Sequence, residues 1–160
     1  MITRRSFLAV LGISGGAAAL AAGGYLILPG DETLSGDPRI RYGKEPCSQC
    51  TMIISDERFA AAWREQGRLE HHFDDVGCMI SYARKHPPAA GTAYYVHDFG
   101  AGAWLDAPSA AYVAAPGIKS PMAYDVAAFA SAAGAGAFER SQHGRRETWA
   151  SLMTNLQVRG

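Results

Sequence analysis

Hydrophobic and polar positions fall into three regimes along the chain. Residues 6–30 carry no charge, residues 30–46 are rich in Gly, Pro and charge without a regular period, and from Cys47 onward short apolar runs alternate with turn residues. In this last regime Met52 to Ile54 reads as a short strand. It leads to Ser55, a helix N-cap with Asp56 and Glu57 at the positive end of the helix dipole. Phe59 and Trp63, four apart, then share one helical face, and Gly67 ends that helix. Residues 67–73 alternate as a strand. The next stretch opens on a capping aspartate, sets Val76, Met79, Ile80 and Ala83 at helical spacing, and is stopped by Pro87 and Pro88. Residues 92–100, β-branched and aromatic, form the strongest strand pattern, with Gly102 to Trp104 as its hairpin partner. After a loop through Met122, Asp125 starts a short Ala-rich helix ending at Phe129. Residues 145–157 place Trp149, Leu152, Met153 and Leu156 on the apolar face of a last helix. Strands and helices alternate without a long βαβ period or a glycine-rich phosphate loop, which predicts an α+β domain.

Composition narrows this picture. A chain of 160 residues suffices for one domain with a core and leaves little for a second. The formal net charge of +0 gives no electrostatic footprint for nucleic acid. The uncharged N-terminal run follows Arg4 and Arg5, and a basic n-region before an apolar h-region is a targeting pattern. The twin arginine followed by Ser6, Phe7 and Leu8 looks like a Tat export signal. Ala17, Ala19 and Ala21 offer A-x-A-like cleavage sites, whereas an uncut segment 6–28 is long enough to cross ~30 Å of hydrocarbon as an anchor. This segment holds no cysteine for lipidation. The expected organisation is therefore a signal or signal-anchor over 1–30, a linker over 31–45 and a folded domain over 46–160. Export to the periplasm would oxidise a close cysteine pair unless a metal or partner protects it.

The chemistry concentrates around Cys47 and Cys50, three apart, with Met52 two residues on. Thr51 stands where covalent haem attachment needs histidine, so that use is rejected. A thioredoxin-like thiol oxidoreductase places its C-x-x-C at a helix start, but a strand is expected after Cys50. Structural zinc is a second alternative: Cys78 and one of His71 or His72 would complete four ligands, although no second C-x-x-C or H-x-x-x-H closes the site. A soft monovalent metal, Cu(I), suits thiolate and thioether donors. Cys50 and Met52 would lie on one side of an extended segment, presenting both donor types together. Met79 and Met153 sit on helical apolar faces and read as core, whereas Met122 follows Pro121 in a loop and is a candidate ligand.

Four segments in order, PCSQCTMIISDERFAA, HHFDDVGCMISYARKH, YYVHDFGAGAWLDAPSAAYV and SPMAYDVAAFAS, resemble the NosL family of copper-binding accessory proteins of nitrous-oxide reductase. The resemblance spans Pro46 to Ser131. It implies a compact treble-clef-like α+β fold and an exported Cu(I) chaperone that is not an enzyme. Such a chaperone supplies copper for the copper-sulfide centre of the reductase, beside the membrane, together with an ABC-type maturation complex. By the same resemblance the C-x-M unit falls on Cys50 and Met52 and the P-M step on Met122. Cys47 is a further metal-ligand candidate, and His72 is the first candidate among the histidines. Two features depart from the family pattern. Its members are commonly lipoproteins, whereas no lipobox cysteine is present here, and glycine is usual soon after P-M, where this chain has Asp125.

Overall fold

The computed structural model describes residues 33–157. The expected signal or anchor over 1–30 lies outside the described residues. Among the described residues no helix is long and apolar enough to cross a membrane.

Among the described residues, two antiparallel sheets and three α-helices make an α+β domain, as the sequence predicts. The first sheet contains β1 (Ala61–Glu65), β2 (Leu69–Phe73), β3 (Ala93–His97) and β4 (Trp104–Asp106), in the order β2-β1-β3-β4. The second contains β5 (Ala111–Ala114), β6 (Val126–Phe129) and β7 (Arg145–Glu147), in the order β6-β5-β7. Helix α1 (Val76–Lys85) follows β2, α2 (Ala132–Gln142) follows β6, and α3 (Trp149–Asn155) follows β7. The two sheets meet where Asp98 bridges Ala128 and the Phe99 N–H donates to the Ala128 carbonyl at 2.8 Å. There the Asp98 carboxylate accepts N–H bonds from Gly100, Ala101 and Ala130, which fixes the crossing.

Two expected helices are corrected. The segment from Ser55 to Gly67 is a turn around Asp56 and Arg58 followed by strand β1. Strand β1 is paired on both edges, with β2 and β3, and Ala61, Ala62, Trp63 and Arg64 are all buried. A strand covered on both faces loses its alternation, and its alanines then read as helix formers. Phe59 and Trp63, read as one face, separate. Phe59 joins Phe99, Phe129 and Phe138 in one cluster, whereas Trp63 centres the other, edge-on to Phe73, Tyr82 and Tyr94 rings. The helix expected from Asp125 to Phe129 is likewise a strand, β6 over Val126–Phe129, with all four strand residues buried. The helix begins later, where the Ser131 hydroxyl oxygen accepts the Gly134 N–H at 3.1 Å. The strand expected from Met52 to Ile54 is reduced to a single bridge at Ile53. The remaining expected elements lie near their places, with the last helix shortened to α3 by strand β7 and capped by Thr148.

The site is built by three consecutive units. Residues 46–54 form a knuckle closed by Cys47 N–H to Met52 O (2.8 Å), Thr51 N–H to Cys47 O (3.0 Å) and a bridge between Pro46 and Ile53. The β1–β2 hairpin follows, and then α1. Knuckle, hairpin and helix in this order constitute the treble-clef arrangement that the resemblance implies. The segment expected to be a linker is tied to this body: Gly43 donates to Ile54 O (2.8 Å), Ile54 to Glu45 O (2.9 Å), and Arg64 Nη1 to Gly36 O (3.0 Å).

Candidate metal centre

Asp75 closes the N-terminus of α1, its carboxylate accepting the Gly77 N–H at 2.6 Å. Cys78 therefore stands in the first turn, facing the knuckle. The Ser48 N–H donates to the His72 carbonyl at 2.9 Å and holds the knuckle onto the end of β2. These two ties bring residues far apart in sequence into one centre. One ligand atom from each of Cys47, Cys50 and Cys78 lies within 4.8 Å of the others. Cys47 and Cys78 are buried at 2% and 1% exposure, and Cys50 is half-buried. All three are free thiols.

The thiols are electrostatically unequal. Cys78 donates its S–H toward Cys47, and this bond, joined by backbone N–H groups of Cys50, Asp74 and Gln49, outweighs burial and lowers the Cys47 thiol to about 5. The same bond, in which Cys78 is the donor, followed by burial and the neighbouring charges, holds the Cys78 proton far more tightly than in a free thiol. Burial raises Cys50 as well. Near neutral pH the centre thus holds one thiolate and two thiols. A soft cation meets a pre-formed negative sulfur without having to generate it.

The candidates named from sequence are distributed unevenly around this cluster. Cys47 and Cys50 belong to it. Met52 does not share the side of a strand with Cys50, because Thr51 takes a left-handed backbone (φ 64°) that breaks the extended segment. Met52 instead lies at the outer edge of the knuckle, 54% exposed. Met122 is half-buried and packs against the core that includes Cys47 and Cys78. His72 is engaged elsewhere: its Nδ1 meets Glu45 and its Nε2 lies 2.8 Å from Glu70, which also accepts from Arg64. Burial works to raise the Glu70 carboxyl, but His72 and Arg64 together hold it below the ordinary carboxylate range. His72 thereby braces Glu45, at the entry to the knuckle, against β2.

Cys78 is the member that the C-x-M and P-M motifs leave out. The sequence offered it as a possible partner only under the zinc alternative. The signal that would have found it is the capping aspartate three residues earlier, since a cap fixes where the first helical turn points.

Two buried carboxylates flank the cluster. Burial raises Asp75 to about 6, partly countered by the Ser120 hydroxyl. Burial likewise raises Asp74 to about 6, against the Ser55 N–H, and the Asp74 Oδ1 has no hydrogen-bond partner among the described residues. For a carboxyl raised above its unfolded value of 3.8, the favourable state is the protonated one, and its contribution is lost as pH climbs through about 6. Asp74→Asn is therefore expected to stabilise the metal-free chain at pH 7.5 by about 1–2 kcal/mol and to lose that advantage near pH 4. Urea unfolding of both proteins at the two pH values checks this.

The NosL family model matches residues 41–156 of the chain. No curated protein matches it. Among solved structures, the crystal structure of the copper chaperone NosL from Shewanella denitrificans is similar, with a TM-score of 0.64 at 16% sequence identity, covering 77% of this chain and 99% of that one. At that identity the likeness is one of fold.

Proposed function

The chain belongs to the NosL family, and from that premise we propose that it is a copper chaperone carrying Cu(I) as cargo on Cys47, Cys50 and Cys78. The observation that carries this reading is the convergence of three free thiols within 4.8 Å at the junction of knuckle and helix. Thiolate and thioether sulfur select soft Cu(I) over hard cations, and Cu(I) accepts from two to four such donors. Cys47 receives the ion as a thiolate, Cys78 closes the buried side, and half-buried Cys50 with exposed Met52 forms the edge where a recipient's ligand enters. Copper then passes through a shared intermediate in which one incoming donor replaces one departing sulfur. Met122 adds a thioether from the adjoining loop. The protein acts by binding and release, not by turnover.

The same family membership supports a finer assignment. The chaperone is exported, works in the periplasm with residues 1–30 as a Tat-like signal or residues 6–28 as an anchor, and supplies copper to nitrous-oxide reductase beside its membrane ABC-type maturation complex. The compartment suits the chemistry, because bound copper protects three neighbouring thiols from the oxidation that an exported protein otherwise meets.

A knuckle-and-helix cysteine set also suits zinc, but a closed zinc site takes four ligands. Among the described residues the cluster offers three, and His72 has both ring nitrogens engaged by carboxylates.

Anaerobic titration of the reduced chain with Cu(I) against a chromophoric chelator is expected to show one tightly held copper per chain, not displaced by excess zinc. Mixing the loaded protein with copper-free reductase should then move copper to the enzyme. A chain that keeps zinc and ignores Cu(I) would overturn the chaperone reading; one that binds Cu(I) but never passes it to the reductase would overturn only the choice of recipient.

A further inference from the structure

The loop that carries Met122 is built directly on the helix that carries Cys78. Ser120 is buried, and its hydroxyl oxygen accepts the N–H groups of Tyr124 and Asp125 at 3.0 Å each, while the Ala123 N–H donates to the Ser120 carbonyl at 3.0 Å. These bonds fold residues 120–125 into a tight arch. Both Ala123 (φ 55°) and Asp125 (φ 58°) occupy the left-handed region, which ordinary side chains enter at a cost of about 1–2 kcal/mol and hold only when their surroundings dictate it. Tyr124 supplies that surrounding. Its buried ring lies on Gly77 so closely that a Cβ at position 77 would fall among the ring atoms, nearer than real Cβ contacts ever come. Gly77 is the residue before Cys78, and the Ser120 hydroxyl lies beside Asp75, the cap of the same helix. Cys47, Cys78 and Tyr124 share one core cluster, with Met122 and Cys50 packed against it.

We propose that Tyr124 is a positioning residue, seated on Gly77 so that the arch holds the Met122 thioether at the three-thiol centre. Met122 lies in a loop with no sheet or helix of its own to hold it. The aromatic seat and the Ser120 bonds substitute for such an element, and the missing Cβ at Gly77 is what lets the ring close on the helix. The two methionines differ in their surroundings: Met122 is packed against the core, whereas Met52, its backbone tied into the knuckle, has an exposed side chain. This inference rests on the copper-binding function proposed above.

The test is a double-mutant cycle on the whole chain, reduced and anaerobic, reading Cu(I) affinity by chelator competition. Tyr124→Leu removes the ring, and Ser120→Ala loosens the arch without touching it. Each is expected to weaken Cu(I) binding by roughly 10- to 100-fold, as loss of a group that orients a metal ligand does. In a Met122→Ala background neither should cause further loss, while Tyr124→Phe, which keeps the ring on Gly77, should retain wild-type affinity. A merely structural role would lower affinity equally in both backgrounds, and that result overturns the inference. So does a Tyr124→Leu or Met122→Ala protein with unchanged affinity. A wild-type chain that binds no Cu(I) instead overturns the copper-binding function itself, so the two failures are distinct.

Discussion

Replacing Cys78 by serine is expected to weaken Cu(I) binding by roughly 100- to 1,000-fold, the share of one thiolate in the binding free energy of a multi-thiolate metal site. The same substitution leaves the C-x-M and P-M donors intact, so a centre made only of Cys50, Met52 and Met122 would hardly register it. Cys78 is 1% exposed, stands in the first turn of α1 and offers its sulfur within 4.8 Å of Cys47 and Cys50. Serine matches it in size and keeps a hydrogen-bond donor toward Cys47, so the fold should survive with little change. The measurement is Cu(I) competition with a chromophoric chelator, read beside the urea midpoint of the metal-free variant. Unchanged affinity in a folded Cys78→Ser protein would remove the third thiol from the centre and return the copper to the motif residues. Loss of affinity accompanied by unfolding is separated from loss of a ligand by the urea midpoint.

Part of this centre is legible from residues alone. Cys47 and Cys50 declare themselves by spacing, and helix α1 by its capping Asp75 and apolar period. The strand over Ala93–His97 is announced by aromatic and β-branched side chains. Cys78 is visible as a cysteine, but its place beside the others depends on a hairpin returning the chain, and that hairpin begins with β1, read as a helix. Ala60, Ala61 and Ala62 favour helix locally, yet pairing on both edges of β1 decides otherwise. The same override hides β6, where Val126 to Phe129 are buried without alternation. Local spacing also misplaces Met52, since equal parity in an extended chain means a shared side only while the backbone stays extended, and Thr51 does not.

His72 shows a different limit. Histidine beside a cysteine motif invites a ligand role, because sequence shows the donor and not its competitors. The structure supplies those competitors as Glu45 and Glu70, from the knuckle entry and from its own strand. The departure noted at Asp125 has a physical counterpart: the position is left-handed, where glycine is the unstrained choice, and the Ser120 and Tyr124 contacts compensate for its absence.

The pH dependence of Cu(I) affinity counts the thiols. Between about pH 6 and 8, Cys47 is already ionised, because the Cys78 S–H and the knuckle N–H groups lower it to about 5. Cys50 and Cys78 are both raised and keep their protons in that window. Binding one Cu(I) to all three sulfurs must then expel two protons, one from each raised thiol, and the affinity should increase about 100-fold for each unit of rising pH. The sign follows from competition: protons and copper seek the same sulfurs, so acid favours release. Below about pH 5 Cys47 also protonates and the slope steepens toward three. A site using Cys50 as its sole thiolate, or Cys47 with Cys50, expels one proton and gives only about a tenfold change per unit. Chelator competition at several pH values, with a diimine chelator whose donors do not titrate in this range, reads the slope directly. A slope near one in the wild type would exclude the three-thiolate centre however tightly copper is held, whereas a slope near two that falls to one in Cys78→Ser would assign the second proton to Cys78.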